Sequence, residues 1–154
     1  METRPGKTRT SKRTGLLAVG FACTALLTGC GGVTDTVSTA VEDSASAIAT
    51  AQLALGQESA GKLTTAAAST ALDDSLKELQ ASRDSVVKLS PSTQQDRDVR
   101  QEALTVLDGC AAGINTARDA VAGSEGAPTP EDSQHALDDA AHRLSDLKTK
   151  VGGK

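Results

Sequence analysis

Aromatic side chains are almost absent from this chain. Phe21 is the only one in 154 residues, and neither Trp nor Tyr occurs. Base-stacking platforms and cation–π cages are built from such rings, so both kinds of recognition are excluded downstream of Phe21. Methionine is confined to Met1, which rules out a Met-rich adaptable groove. Long apolar runs are missing too. The one extended example, Leu16 to Leu27, is shorter than the roughly 20 residues a transmembrane helix needs. No segment rich in Val, Ile and aromatics suggests a strand. The G-x-S-x-G elbow, HExxH, the P-loop and the dinucleotide fingerprint are all lacking. With only two histidines, His135 and His142, no base-activated nucleophile is expected. The chain reads as non-enzymatic, with no cofactor.

What is present begins at the N-terminus. Arg4, Lys7, Arg9, Lys12 and Arg13, with Glu2 as the single acid, precede the apolar run, which closes on Leu27-Thr28-Gly29-Cys30. A basic n-region, a short apolar h-region and a small-residue cleavage site make an export signal. The cysteine at the cut resembles the lipobox of bacterial lipoprotein precursors, a resemblance that covers residues 1–30. It implies that Leu27, Thr28 and Gly29 are read by the signal peptidase. Cys30 would then carry a diacylglycerol on its sulfur, and the amine freed by cleavage can be acylated as well. Two or three acyl chains hold a protein stably where one does not. The implied location is the extracytoplasmic face of the bacterial plasma membrane. Ser11-Lys12-Arg13 has lysine where a twin-arginine signal has arginine, so the general secretory route is expected.

The mature chain, from Cys30 to Lys154, has the length of one domain. Without the five signal cations and Glu2 it keeps 11 basic and 19 acidic residues, a net charge of −8. Nucleic acid and anionic headgroups are poor partners for such a surface, and a cationic protein patch fits better. With Cys23 lost and Cys30 lipidated, Cys110 has no intramolecular disulfide partner.

Apolar residues recur at helical spacing in four segments. The first carries Val37, Val41, Ile48, Ala51 and Leu55 and is interrupted from Gly56 to Gly61. The second carries Leu72, Leu76, Leu79, Val86 and Leu89 and stops at Ser90-Pro91, because proline disfavours helix in the residue before it. Ser92 with Gln95 suggests a capping box for the third, whose stripe reads Val99, Ala103, Val106, Cys110, Ile114, Ala117, Val121 and ends near Gly123. Thr129-Pro130-Glu131-Asp132 is a strong start for the fourth, with Leu137, Leu144 and Val151 every seven residues. Short connections favour antiparallel neighbours, so the expected fold is all-α, an alanine-rich, antiparallel up-down four-helix bundle. The expected organisation is a cleaved signal peptide at 1–29, the lipidated cysteine and a short tether at 30–35, the bundle at 36–151 and a tail at 152–154.

Candidate sites inside the bundle are few. His135, Asp138, Asp139 and His142 contain two i,i+4 pairs with metal-ligand chemistry, but if Leu137 and Leu144 face the core, both histidines point to solvent. Cys110 lies on an apolar stripe and reads as a small buried hydrophobe. Gly109 and Gly113, inside the third helix, either permit a close backbone approach or break the helix. The composite expectation is a lipid-anchored bundle acting through protein contacts at the envelope. The alternative is a small-ligand or metal-binding lipoprotein.

Overall fold

A computed structural model describes residues 32–152. The expected export signal, with the expected lipobox Leu27-Thr28-Gly29-Cys30, and the last two residues lie outside the described residues. Four helices and no strand occur among those described: α1 (Val33–Ser59), α2 (Thr65–Val87), α3 (Gln94–Ala122) and α4 (Pro130–Gly152).

Each helix buries residues at alternating steps of four and three. In α2 the seam is Ala68, Leu72, Ser75, Leu79, Ser82, Val86. In α3 it is Ala103, Leu107, Cys110, Ile114, Ala117, Val121. In α4 it is Ser133, Leu137, Ala140, Leu144, Leu147, Val151. A mean repeat of 3.5 keeps one stripe facing its neighbours along a gently supercoiled helix. The seam of α1 runs Val37, Val41, Ser44, Ile48, Ala51, Leu55, and a second buried row, Ala40, Ala47 and Ala54, lies beside it. Both α1 and α3 pack against all three other helices, whereas α2 and α4 do not meet, and α3 adds only Gly113 to its seam.

The helix ends follow local chemistry. The Thr64 hydroxyl accepts from the Ala67 N–H at 3.3 Å and the Thr93 hydroxyl from Asp96 N–H at 3.0 Å, each satisfying a donor that has no partner within the helix. At α4, Thr129 accepts from the Asp132 N–H, and Asp132 accepts from the Thr129 hydroxyl at 2.7 Å. The Thr129 hydroxyl, with the Thr129 N–H donating to the same carboxylate oxygen, holds the Asp132 carboxyl below the usual carboxylate range. Gly123 closes α3 in the left-handed region, φ 63°, which glycine enters without steric cost.

Several boundaries and inward positions differ from the sequence expectation. Gly56 does not end α1. It lies exposed within the helix, which continues to Ser59, and the left-handed residue is Gly61 at φ 68°. The helix also starts at Val33, so the stretch expected as tether, 30–35, already contains its first turn, and α4 includes Gly152 of the expected tail. Thr93, not Ser92, caps α3. Leu107 takes the core position assigned to Val106, which is half-buried with Val99. A seam at 103, 110 and 117 has its second row at 107, 114 and 121, and the step from 103 to 106 broke that register. Leu76 and Leu89 pack only at the core's margin.

Candidate functional site

The interior holds little chemistry. Its buried polar residues are Ser44, Ser75, Ser82 and Ser133, and no charged side chain is buried among the described residues. Ser75 donates to the Ala71 carbonyl at 2.8 Å and Ser133 to the Thr116 carbonyl, across to α3, at 3.3 Å. The Ser44 hydroxyl has no partner. Cys110 is fully buried on the α3 seam, its Sγ 3.9 Å from the Ala140 carbonyl. Burial pushes this thiol up to about 12, so it stays protonated at neutral pH, and a protonated, inaccessible thiol is a poor nucleophile.

Between α3 and α4 a groove of about 240 Å³ runs over Gly109, Ala112, Gly113 and Ala136 to a lip formed by Asp139 and Arg143. Gly113 is there for closeness. A Cβ on it would lie 3.1 Å from the Ala136 carbonyl oxygen and 3.8 Å from the Ala140 Cβ. Of the two readings the sequence allowed for Gly113, close approach holds, and α3 runs unbroken through both glycines. The groove is smaller than the ~300–1,000 Å³ of ordinary ligand pockets. A wider one, about 340 Å³, opens where Thr34 of α1, Gln95, Val99 and Glu102 of α3, and Lys150 and Val151 of α4 converge. Glu102 is paired with Lys150 there at 2.6 Å.

The histidine–aspartate cluster is pulled apart by its own helix. His135 and His142 are exposed. Asp138 turns toward α1, where its Oδ1 accepts from Gln52 at 2.7 Å and from Gln134 at 3.2 Å. Asp139 turns the other way, onto the groove beside α3. Among the described residues no group of three or more His, Cys, Asp or Glu side chains could hold a metal ion. The Gln52–Asp138 bridge was not foreseen, since a polar pair 86 residues apart leaves no periodic signal.

Residues 56–62 also carry the G-x-x-x-x-G-K spacing of a phosphate loop. Leu63 stands where that motif needs a hydroxyl for the metal, and the stretch follows a helix rather than leading from a strand into one. Its backbone is spent on turning the chain, with the Lys62 and Leu63 N–H groups donating to the Gln57 carbonyl.

No family model, curated protein or solved structure matches this chain. No described helix is long and apolar enough to cross a membrane.

Proposed function

We propose that the mature chain is a lipid-anchored, non-enzymatic helical bundle that works by contacting other proteins at the extracytoplasmic face of the plasma membrane. The observation that carries this reading is the lipobox Leu27-Thr28-Gly29-Cys30, closing the apolar run three residues before Val33, where the first helix starts. A tether that short keeps the domain beside the bilayer, within reach of envelope proteins. The interior supports contact over chemistry, because it consists of aliphatic side chains, alanines, hydroxyls and one neutral thiol.

Within this reading the four helices run up-down-up-down, each antiparallel to the next, in an alanine-rich bundle. The side-chain pairs support that course. Glu102 near the start of α3 meets Lys150 near the end of α4, while Ser133 at the start of α4 meets Thr116 late in α3. Between α2 and α3, Asp73 pairs with Arg118 and Arg83 with Asp108. Between α1 and α4, Glu42 pairs with Lys148 and Gln52 with Asp138. Zero-length carbodiimide coupling should join Lys150 to Glu102 and Lys148 to Glu42. A parallel arrangement would join neither.

Metabolic labelling with a tagged fatty acid tests the anchor. Cys30→Ala should abolish the label and leave the precursor uncut. Equal label on mutant and wild type would remove the lipoprotein reading. A photo-crosslinker at Leu53, the most exposed large apolar side chain described, should trap a defined membrane neighbour only when Cys30 is present. A Cys30-independent adduct would place the working contact elsewhere.

A further inference from the structure

The net acidity of the mature chain is distributed unevenly along the bundle. The start of α1, the end of α2, the start of α3 and the end of α4 share one end. There Thr34, Val99 and Val151 line a common groove, and Arg100 donates to the Val86 carbonyl at 3.1 Å and the Val87 carbonyl at 2.7 Å. This near end adjoins Cys30 in sequence. Over the outermost nine residues of each helix and the adjoining loops, it sets Arg83, Lys88, Arg97, Arg100, Lys148 and Lys150 against six acids. It is neutral. The opposite end, counted the same way, has only Lys62 and Arg118 against seven acids, a net charge of −5. Four of those acids, Asp119, Glu125, Glu131 and Asp132, are exposed.

We propose that the tethered bundle stands upright on an anionic lipid surface, its charge-balanced end against the headgroups and its acidic end held away from them. This inference rests on Cys30 being the attachment point. The physical reason is one of range. A helix of about 27 residues is about 40 Å long, whereas screening confines the surface potential to about 8 Å at physiological salt. Upright, the acidic end lies several screening lengths above the lipid and is not repelled. Lying flat, it enters the negative potential, Glu58 at the end of the lysine-free and arginine-free α1 included. The average charge of the domain argues against any approach to anionic lipid. Its distribution selects one orientation for an approach that the anchor enforces. The acidic end is then the part presented outward to a partner.

Neutron reflectometry on a supported bilayer tests this without a label. The mature chain is coupled through the Cys30 thiol to a maleimide-bearing lipid. Coupling is selective because Cys110 is buried. The chemical anchor separates this test from whether cells lipidate Cys30, which fatty-acid labelling decides. At low salt on a phosphatidylglycerol-containing bilayer the protein layer should be about 40 Å thick. High salt should thin it toward the roughly 20 Å of a two-helix-wide bundle lying flat. The variant Asp119→Lys, Glu125→Lys, Glu131→Lys should lie flat on the anionic bilayer and match wild type on a purely phosphatidylcholine one. Equal wild-type thickness on the two bilayers at low salt would overturn the proposal, as would a charge-reversed layer as thick as the wild type on phosphatidylglycerol. The salt response of the wild type keeps the test decisive if the variant does not fold.

Discussion

Helices α1 and α4 lie side by side and reach the core in different ways. α4 touches α1 and α3 and buries one seam, with aliphatic side chains at Leu137, Leu144, Leu147 and Val151. α1 touches all three other helices and buries a second row, which is alanine throughout: Ala40, Ala47 and Ala54. Its own seam holds Ser44, whose hydroxyl has no partner. A helix with two neighbours gains most from large side chains in a narrow stripe. On its added row α1 stays slim and is stabilised by close packing over a broad face; α3 also touches three helices but adds only Gly113 to its seam. Where α3 and α4 approach each other most closely, the same demand goes one step further and removes the Cβ altogether at Gly113.

The largest expected effect separates the narrow stripe from the outer surface. Leu144→Asp places an unpaired carboxylate in the core and should cost several kcal/mol, on the order of 3–5. Leu53→Asp, at a position that is 63 % exposed on α1, should stay within about 0.5 kcal/mol. Urea unfolding followed by circular dichroism reads both. Comparable losses would mean that α1 uses its outer face for packing.

Next comes the buried thiol on the α3 seam. Its pKa is raised in the folded state to about 12 from an ordinary 9.0. The protonated thiol therefore favours folding fully below pH 9, and that contribution is lost as pH rises toward 12. By pH 11 the loss should be on the order of 2–3 kcal/mol. Cys110→Ala, measured beside wild type, cancels the titration of lysines and isolates this slope. Parallel stability curves between pH 8 and 11 would show that solvent reaches the thiol.

The glycines sharpen the comparison by sign. At Gly113 an added methyl would press on a backbone carbonyl, which has little room to retreat, so Gly113→Ala should lose about 1–2 kcal/mol despite better helix propensity. At Gly109 the nearest atom is the end of the Arg143 side chain at 3.4 Å, which can swing away. Gly109→Ala should therefore gain about 0.5–1 kcal/mol. Two gains would mean that the helices are less closely apposed at Gly113. The smallest effect concerns the serines. Ser44→Ala removes an unsatisfied hydroxyl and should be neutral or stabilising by up to about 1 kcal/mol. Ser133→Ala breaks its bond to Thr116 and should cost about as much. A loss at Ser44 matching that at Ser133 would reveal a partner for its hydroxyl.

Four helices, most of their inward positions, the Gly123 stop and the Thr129-Pro130 start were legible in the sequence, because caps act on neighbouring residues and amphipathic periodicity repeats within one helix. Gly56 misled for the same local reason. Glycine weakens an exposed helical position by only about 1 kcal/mol, and the packing of Leu55 and Ala54 holds α1 helical beyond it. The stretch read as a lipobox is likewise a contiguous pattern, and it lies outside the described residues. Other features depended on how separate helices came together. The alanine row of α1 is ordinary until three neighbours surround it. Gly113 could equally have been a break until α4 lay against it. Asp138 and Asp139 are adjacent in the chain and similar in chemistry, yet one faces Gln52 on α1 and the other the groove beside α3. Likewise, the total charge was fixed by composition, whereas the neutral and acidic ends of the proposed up-down course depend on which distant helix termini are gathered together. Local chemistry decides what each segment becomes, while the value of a side chain that depends on its neighbours is decided by which helices bring those neighbours to it.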